Sequence, residues 1–155
     1  MAAQTAVAVG DAIAIEDTRI VTRKRGRADF ATAADHAAEQ AILAALARHD
    51  RAVPVLSEES PRDELRRAER LWVVDPIDGT LNFSRGVPFY CVVIGYVEDG
   101  IARAAAVHAP RTRETFVASR GNGATLNGAP IAVSRVRRAA EAFAATSLAR
   151  GGASR

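Results

Sequence analysis

Trp72-Val73-Val74-Asp75-Pro76-Ile77-Asp78-Gly79-Thr80-Leu81-Asn82-Phe83 concentrates most of the oxygen chemistry of this chain. Asp75 and Asp78 stand three residues apart around a proline. A turn there would bend Asp78 back towards Asp75 and expose the Ile77 carbonyl, so that three oxygens converge on a hard cation. Such donors select magnesium or manganese, and the His and Cys clusters that favour zinc are missing from the sequence. Gly79-Thr80 then opens a helical turn whose backbone N–H groups and hydroxyl suit a phosphate, glycine permitting close approach of the ligand. The same Asp-x-x-Asp-Gly spacing also describes a capped turn at the end of a strand, and spacing alone leaves both readings open.

The elements that must position these groups follow from the pattern around them. LWVVD reads as a buried strand carrying Asp75 at its carboxyl end, and VPVLSEES as a short apolar run ending in acids. Upstream, Thr32 or Asp35 can cap a helix over about 34–48 with an apolar stripe of Ala38, Ile42, Leu43 and Leu46. Residues 2–16 are Ala-rich and weakly helical, with a break expected at Gly10. RKRGR reads as a loop, and SPRDELRRAER as a charged helix or loop. Downstream, FYCVVIGYV, IARAAAVHA and ETFVAS are separated by short turns and imply antiparallel neighbours. GNGATLNGAPIAVS carries the glycines of tight turns before a short strand ending near Ser134, and FAATSLA reads as one more strand. Helices first and then a mostly antiparallel sheet make an α+β fold of helices packed on that sheet.

Composition sets wider bounds. The 155 residues, 48% hydrophobic and 25% charged, suit one ordinary packed domain. No apolar run approaches the roughly 20 residues of a membrane helix, and the N-terminus lacks the pattern of a signal peptide, so the expected location is cytoplasmic. The net charge of +3 is carried by scattered arginines with few aromatic partners, which argues against nucleic acid as a partner. Lys24 is the one lysine among 21 basic residues. Cys91, the single cysteine, reads as a small core residue, and His36, His49 and His108 share no motif spacing.

The Trp72–Phe83 stretch closely resembles the signature of the inositol monophosphatase family. Asp29-Phe30-Ala31-Thr32-Ala33-Ala34-Asp35 resembles that family's upstream segment, Ser57-Glu58-Glu59-Ser60 its Gly-Glu-Glu motif, and Gly121-Asn122-Gly123-Ala124 with Asn127-Gly128 its glycine-rich hairpin. The pieces occur in family order and span nearly the whole chain. The resemblance implies the first lobe of the layered αβαβα sugar-phosphatase fold over residues 1–155. The activity it implies is magnesium-dependent hydrolysis of a small phosphomonoester, inositol monophosphate first. Histidinol phosphate, fructose bisphosphate and bisphosphate nucleotides are the alternatives, and a non-catalytic binding protein is the competing class.

The resemblance also assigns roles. Glu58, Asp75 and the Ile77 carbonyl would hold one Mg2+, Asp75 and Asp78 would contribute to a second, and Glu58 would face a third through water; Mn2+ could substitute. Asp78, Gly79 and Thr80 would meet the substrate, Gly79 and Thr80 at its phosphate. Asp35 and Thr80 would polarise the attacking water, with Lys24 near it. Two cations roughly 3.5 to 4 Å apart can neutralise attacking and leaving oxygens in an in-line displacement. A homodimer, a phosphorylated metabolite as partner and lithium inhibition are likewise implied.

Family members continue into a second lobe with a Trp-Asp-x-Ala-Ala-Gly-like motif, whose aspartate completes the second metal site. That motif does not occur here, and Arg138-Ala139-Ala140-Glu141-Ala142 does not replace it. The expectations are weak or absent turnover by the chain as written, and an uncovered surface normally buried against the second lobe, where contiguous apolar exposure invites association.

Overall fold

A helix of 17 residues, α2 (Ala33–His49), is the clearest element that the sequence dictates. Ala34, Ala38, Ile42 and Leu46 recur every four residues and are all buried, so one stripe of α2 faces the core. The computed structural model describes residues 2–13, 20–23, 30–59 and 63–144. Before α2 lie α1 (Ala2–Ile13) and a two-stranded antiparallel hairpin of β1 (Ile20–Arg23) and β2 (Phe30–Thr32). The hairpin is absent from the sequence-based reading, because strands of four and three residues are too short for any alternation to show.

The core of the fold is a seven-stranded sheet in the order β3 to β9. Its members are β3 (Val55–Ser57), β4 (Arg70–Asp78), β5 (Cys91–Glu98), β6 (Ile101–Ala109), β7 (Glu114–Ser119), β8 (Gly123–Leu126) and β9 (Ala129–Ile131). From β4 onwards each strand pairs antiparallel with the next. Among the described residues only β3 runs parallel to its sheet neighbour, β4. Such a pair needs a crossover longer than a hairpin turn; the 3-10 turn Asp63–Arg67 lies in that connection. The expected α+β arrangement is thus observed. A short helix, α3 (Thr80–Ser84), follows β4 at the chemically interesting end.

Alternation along the strands separates two faces. Trp72, Val74, Val92, Ile94 and Ala106 are buried and lie on the face covered by α1 and α2. Val73 and Phe116 lie on the opposite face and are about one-third exposed. Ile42 is fully buried in the helix-covered core. Ile42→Ala is therefore expected to destabilise the fold by about 2–5 kcal/mol, read as a lower midpoint in urea unfolding. A shift below 0.5 kcal/mol would show that α2 is not packed as described.

Several expectations are corrected in detail. Gly10 does not break α1: a Cβ there would lie 2.5 Å from Cδ2 of the buried His108, so glycine lets the helix close over that ring. The strand bearing Asp75 does not stop there but continues to Asp78. The expected strand ending near Ser134 is a hairpin, β8 and β9, whose second strand ends at Ile131. Of RKRGR, Arg23 ends β1 and residues 24–27 lie outside the described residues. Ser60 to Arg62, and FAATSLA from residue 145 onwards, also lie outside them, while Phe143 and Ala144 have no regular structure. Among the described residues no helix is long and apolar enough to cross a membrane.

Candidate active site

Parallel pairing of β3 with β4 makes neighbours of acids far apart in sequence. The register sets Ser57 against Val74, and the Glu58 N–H donates to the Val74 carbonyl at 3.1 Å. Glu58 therefore stands next to Asp75. Strand alternation places both side chains on the sheet face away from α1 and α2, and the two carboxyls are hydrogen-bonded.

A local irregularity brings in the third acid. Asp75 pairs with Val93 and Asp78 with Cys91, so three steps along β4 match two along β5. That extra residue is a bulge at Pro76-Ile77, where proline has no N–H to offer the ladder. Without it Asp78 would point to the helix-covered face; with it Asp78 returns to the face of Asp75. The expected turn is thus a bulge within a continuous strand, with the same chemical result. The Ile77 N–H donates to Asp75 Oδ1 at 3.1 Å and fixes that carboxylate.

The electrostatics record the crowding. Burial first, then the hydrogen bond that the protonated Asp75 carboxyl donates to Glu58 and the negative charges of Glu58 and Asp78, push Asp75 from 3.8 up to about 8. The Ile77 N–H works in the opposite direction. Between those two values the folded chain keeps a proton that the unfolded chain has released. Stability in chelator should therefore fall as pH rises from about 4 to about 8. Asp75→Asn should flatten that slope in urea titrations at pH 5 and pH 8; an equal slope in the variant would contradict the assignment.

The acids adjoin but do not close on one point. Among the described residues no group of three or more His, Cys, Asp or Glu side chains is gathered tightly enough to hold a metal as it stands. Like charges resist closer approach. A divalent cation would remove that repulsion, and the all-oxygen donor set suits a hard one, so the residues present fit magnesium. A hollow of about 390 Å³, lined among others by Leu56, Glu58, Val73, Asp75 and Val93, opens beside these acids.

Asp35 and Thr80 form the other half of the site. Asp35 lies inside the first turn of α2, is almost wholly buried, and is not the residue in front of the helix. Thr80 Oγ1, at the start of α3, lies 3.1 Å from Asp35 Oδ1 and 3.0 Å from the Ile77 carbonyl. Both partners are acceptors competing for one hydroxyl proton, so the hydroxyl lone pairs remain open to accept from a water or ligand. Gly79, between Asp78 and Thr80, adopts φ +94° in the left-handed region. A Cβ there would meet the Phe89 carbonyl at 2.9 Å.

Of the residues singled out in the sequence, the fold gathers Glu58, Asp75, Ile77 and Asp78, with Asp35, Gly79 and Thr80 alongside. Lys24 and Asp29 lie outside the described residues. Cys91 is a correction: alternation along β5 sets it with Val93 on the open face, partly buried, with Sγ 3.8 Å from Asp78 Oδ2. Burial first, then Asp78 and Asp75, push its thiol up to about 11, so it stays protonated. Sequence reasoning also missed Tyr90, which backs Gly79 and whose ring stands edge-on to Phe83 at 5.0 Å. Its aromatic type in an apolar run was the available signal.

Known proteins resemble this chain in sequence and fold. The sequence model described as the inositol monophosphatase family matches residues 1–153. The fructose-1,6-bisphosphatase/inositol-1-monophosphatase of Thermotoga maritima is 37% identical over 114 residues, which cover 74% of this chain and 43% of that one. The Nus factor SuhB of Pseudomonas aeruginosa is 41% identical over 117 residues, with 74% and 43% covered. A solved structure, an IMPase/NADP phosphatase complexed with Mg2+ and phosphate, superposes with a TM-score of 0.66 at 30% identity, over 72% of this chain and 43% of its own. The chain thus spans less than half the length of these relatives.

Proposed function

The chain belongs to the inositol monophosphatase family, and from that premise we propose that it serves magnesium-dependent hydrolysis of a small phosphomonoester, inositol monophosphate first, as a cytoplasmic homodimer. The observation that carries this reading is the Asp35–Thr80 hydrogen bond standing beside the acids of the β4 bulge. Glu58, Asp75, the Ile77 carbonyl and Asp78 would hold Mg2+. When bound, that cation offsets the charge on the phosphate and acidifies water.

The chain's own residues would do the positioning. Three adjacent carboxylates repel a phosphate dianion, so substrate binding would follow cation binding. N–H groups at the start of α3, at Gly79 and Thr80, have no acceptor within the helix and would meet the phosphate oxygens. With its proton given to Asp35, Thr80 would accept a hydrogen bond from the attacking water and orient it in line with phosphorus. Buried Asp35 would hold Thr80 in that orientation, and Lys24 would stand near the same water.

The test is release of inorganic phosphate from inositol 1-phosphate, fructose 1,6-bisphosphate and histidinol phosphate with Mg2+ or with EDTA. Slow release that needs Mg2+ and is fastest with inositol 1-phosphate is expected, in keeping with the weak turnover expected of the chain as written; release undiminished by EDTA would defeat the proposal. Thr80→Val should lower the rate about 100-fold, leaving Mg2+ affinity unchanged in calorimetry. A second reading, a protein that binds a partner and turns over no phosphomonoester, is favoured by the 41% identity to a relative named as a Nus factor. It predicts Mg2+ binding without phosphate release from any of the three substrates.

A further inference from the structure

On the helix-covered side of the sheet, a hollow of about 640 Å³ lies between α1 and the turn joining β6 to β7. Its size is that of a small-metabolite site. Its floor is the buried His108, whose Nδ1 is 2.9 Å from Thr115 Oγ1 and whose Nε2 is 3.4 Å from Asp11 Oδ1. Its rim carries Arg111 and Arg113. Both arginines are exposed, and neither is ion-paired among the described residues.

The turn that presents these arginines is held in place. Arg113 adopts φ +56°, a conformation that L residues rarely take and that persists where the surroundings enforce it. The enforcing residue is Asn127, at the β8–β9 turn. Its side-chain oxygen accepts the Thr115 N–H at 2.8 Å, and its side-chain amide donates to the Arg113 carbonyl at 3.1 Å. Its own N–H donates to the Thr115 carbonyl at 2.9 Å. Three hydrogen bonds thus fix the backbone on both sides of Glu114. A clamped turn carrying two unpaired guanidiniums over a polar floor loses little freedom on binding an anion.

We propose that this hollow is a second anion site, separate from the β4 acids, that takes the phosphate group of a small hydroxylated metabolite. Arg111 and Arg113, whose planar guanidinium forks suit phosphate oxygens, hold the phosphate, and the Asp11 carboxylate accepts a hydrogen bond from a hydroxyl of the same ligand. The proposal does not depend on catalysis at the β4 site. The two regions are nevertheless neighbours: the charge of Arg111 reaches Tyr90, and Tyr90 backs Gly79.

The test uses the whole chain in EDTA, where the β4 carboxylates disfavour anions. Inorganic phosphate and glycerol 1-phosphate are titrated at constant ionic strength and followed by 1H–15N NMR. Saturable shifts at Arg111, Arg113 and Thr115 are expected, tighter for glycerol 1-phosphate, with Asp11→Asn removing the difference. The double variant Arg111→Gln/Arg113→Gln should weaken phosphate at least tenfold, and Arg120→Gln, another exposed arginine, should not. Shifts that do not saturate, that centre on Gly79 and Thr80, or that survive the double variant would overturn the proposal.

Discussion

Asp75→Asn is expected to weaken Mg2+ binding at least 100-fold and to cut phosphate release on the order of 1,000-fold, about 4 kcal/mol of transition-state stabilisation. The amide keeps the shape of the carboxyl and removes its charge. In the metal-free protein Asp75 already carries a proton up to about pH 8, so the amide imitates a state that the fold adopts by itself. Stability in EDTA should therefore match the wild type near pH 4 and exceed it at pH 7, where the wild type must keep a proton that its unfolded chain releases, while binding collapses. A variant that loses both stability and binding would point to a structural role for Asp75 instead, and one that retains Mg2+ affinity would remove it from the cation site.

Gly79→Ala is expected to cost about 2–4 kcal/mol of stability, a large effect for one methyl group. Part arises because φ +94° disfavours any residue with a Cβ. The rest arises because that Cβ would lie 2.9 Å from the Phe89 carbonyl, which is itself held by the Asn82 side-chain amide at 2.7 Å. Gly86→Ala separates the two causes. Gly86 has φ +69° and nothing within 4 Å of a new Cβ, so only the conformational cost of about 1–2 kcal/mol should appear. Equal losses for both variants in urea unfolding would show that the contact with Phe89 does not constrain the loop.

These two residues also show how far the site was legible before the fold was known. The acids of the β4 stretch could be named because their type and spacing are local properties. What makes Asp75 and Asp78 share a face was not legible as such: a turn after Asp75 was expected, and a bulge inside a longer strand was found. A one-residue insertion in a ladder leaves no mark of its own in sequence, since it depends on the register of the partner strand. Glu58 could be assigned only through family resemblance, because its closeness to Asp75 comes from a parallel pairing across a crossover.

Asp35 illustrates a different limit. An acid in a first helical turn satisfies the pattern of a cap, yet here its carboxylate is buried and receives Thr80, 45 positions away. Only tertiary packing distinguishes the two. Gly10 fails for the same reason: local propensity predicts a break, whereas closeness to His108 explains the glycine within an unbroken helix. By contrast, α2 and strands β5 to β7 were read nearly to their ends, because long apolar periodicities and short turns specify them locally.

The most direct test of the metal-holding role is an Mn2+ titration of the protein followed by 1H–15N NMR. At substoichiometric Mn2+, signals of Glu58, Asp75, Asp78 and Gly79 should broaden first and be restored by excess Mg2+. Broadening centred elsewhere, or none that Mg2+ reverses, would contradict the assignment of these acids to a divalent-cation site.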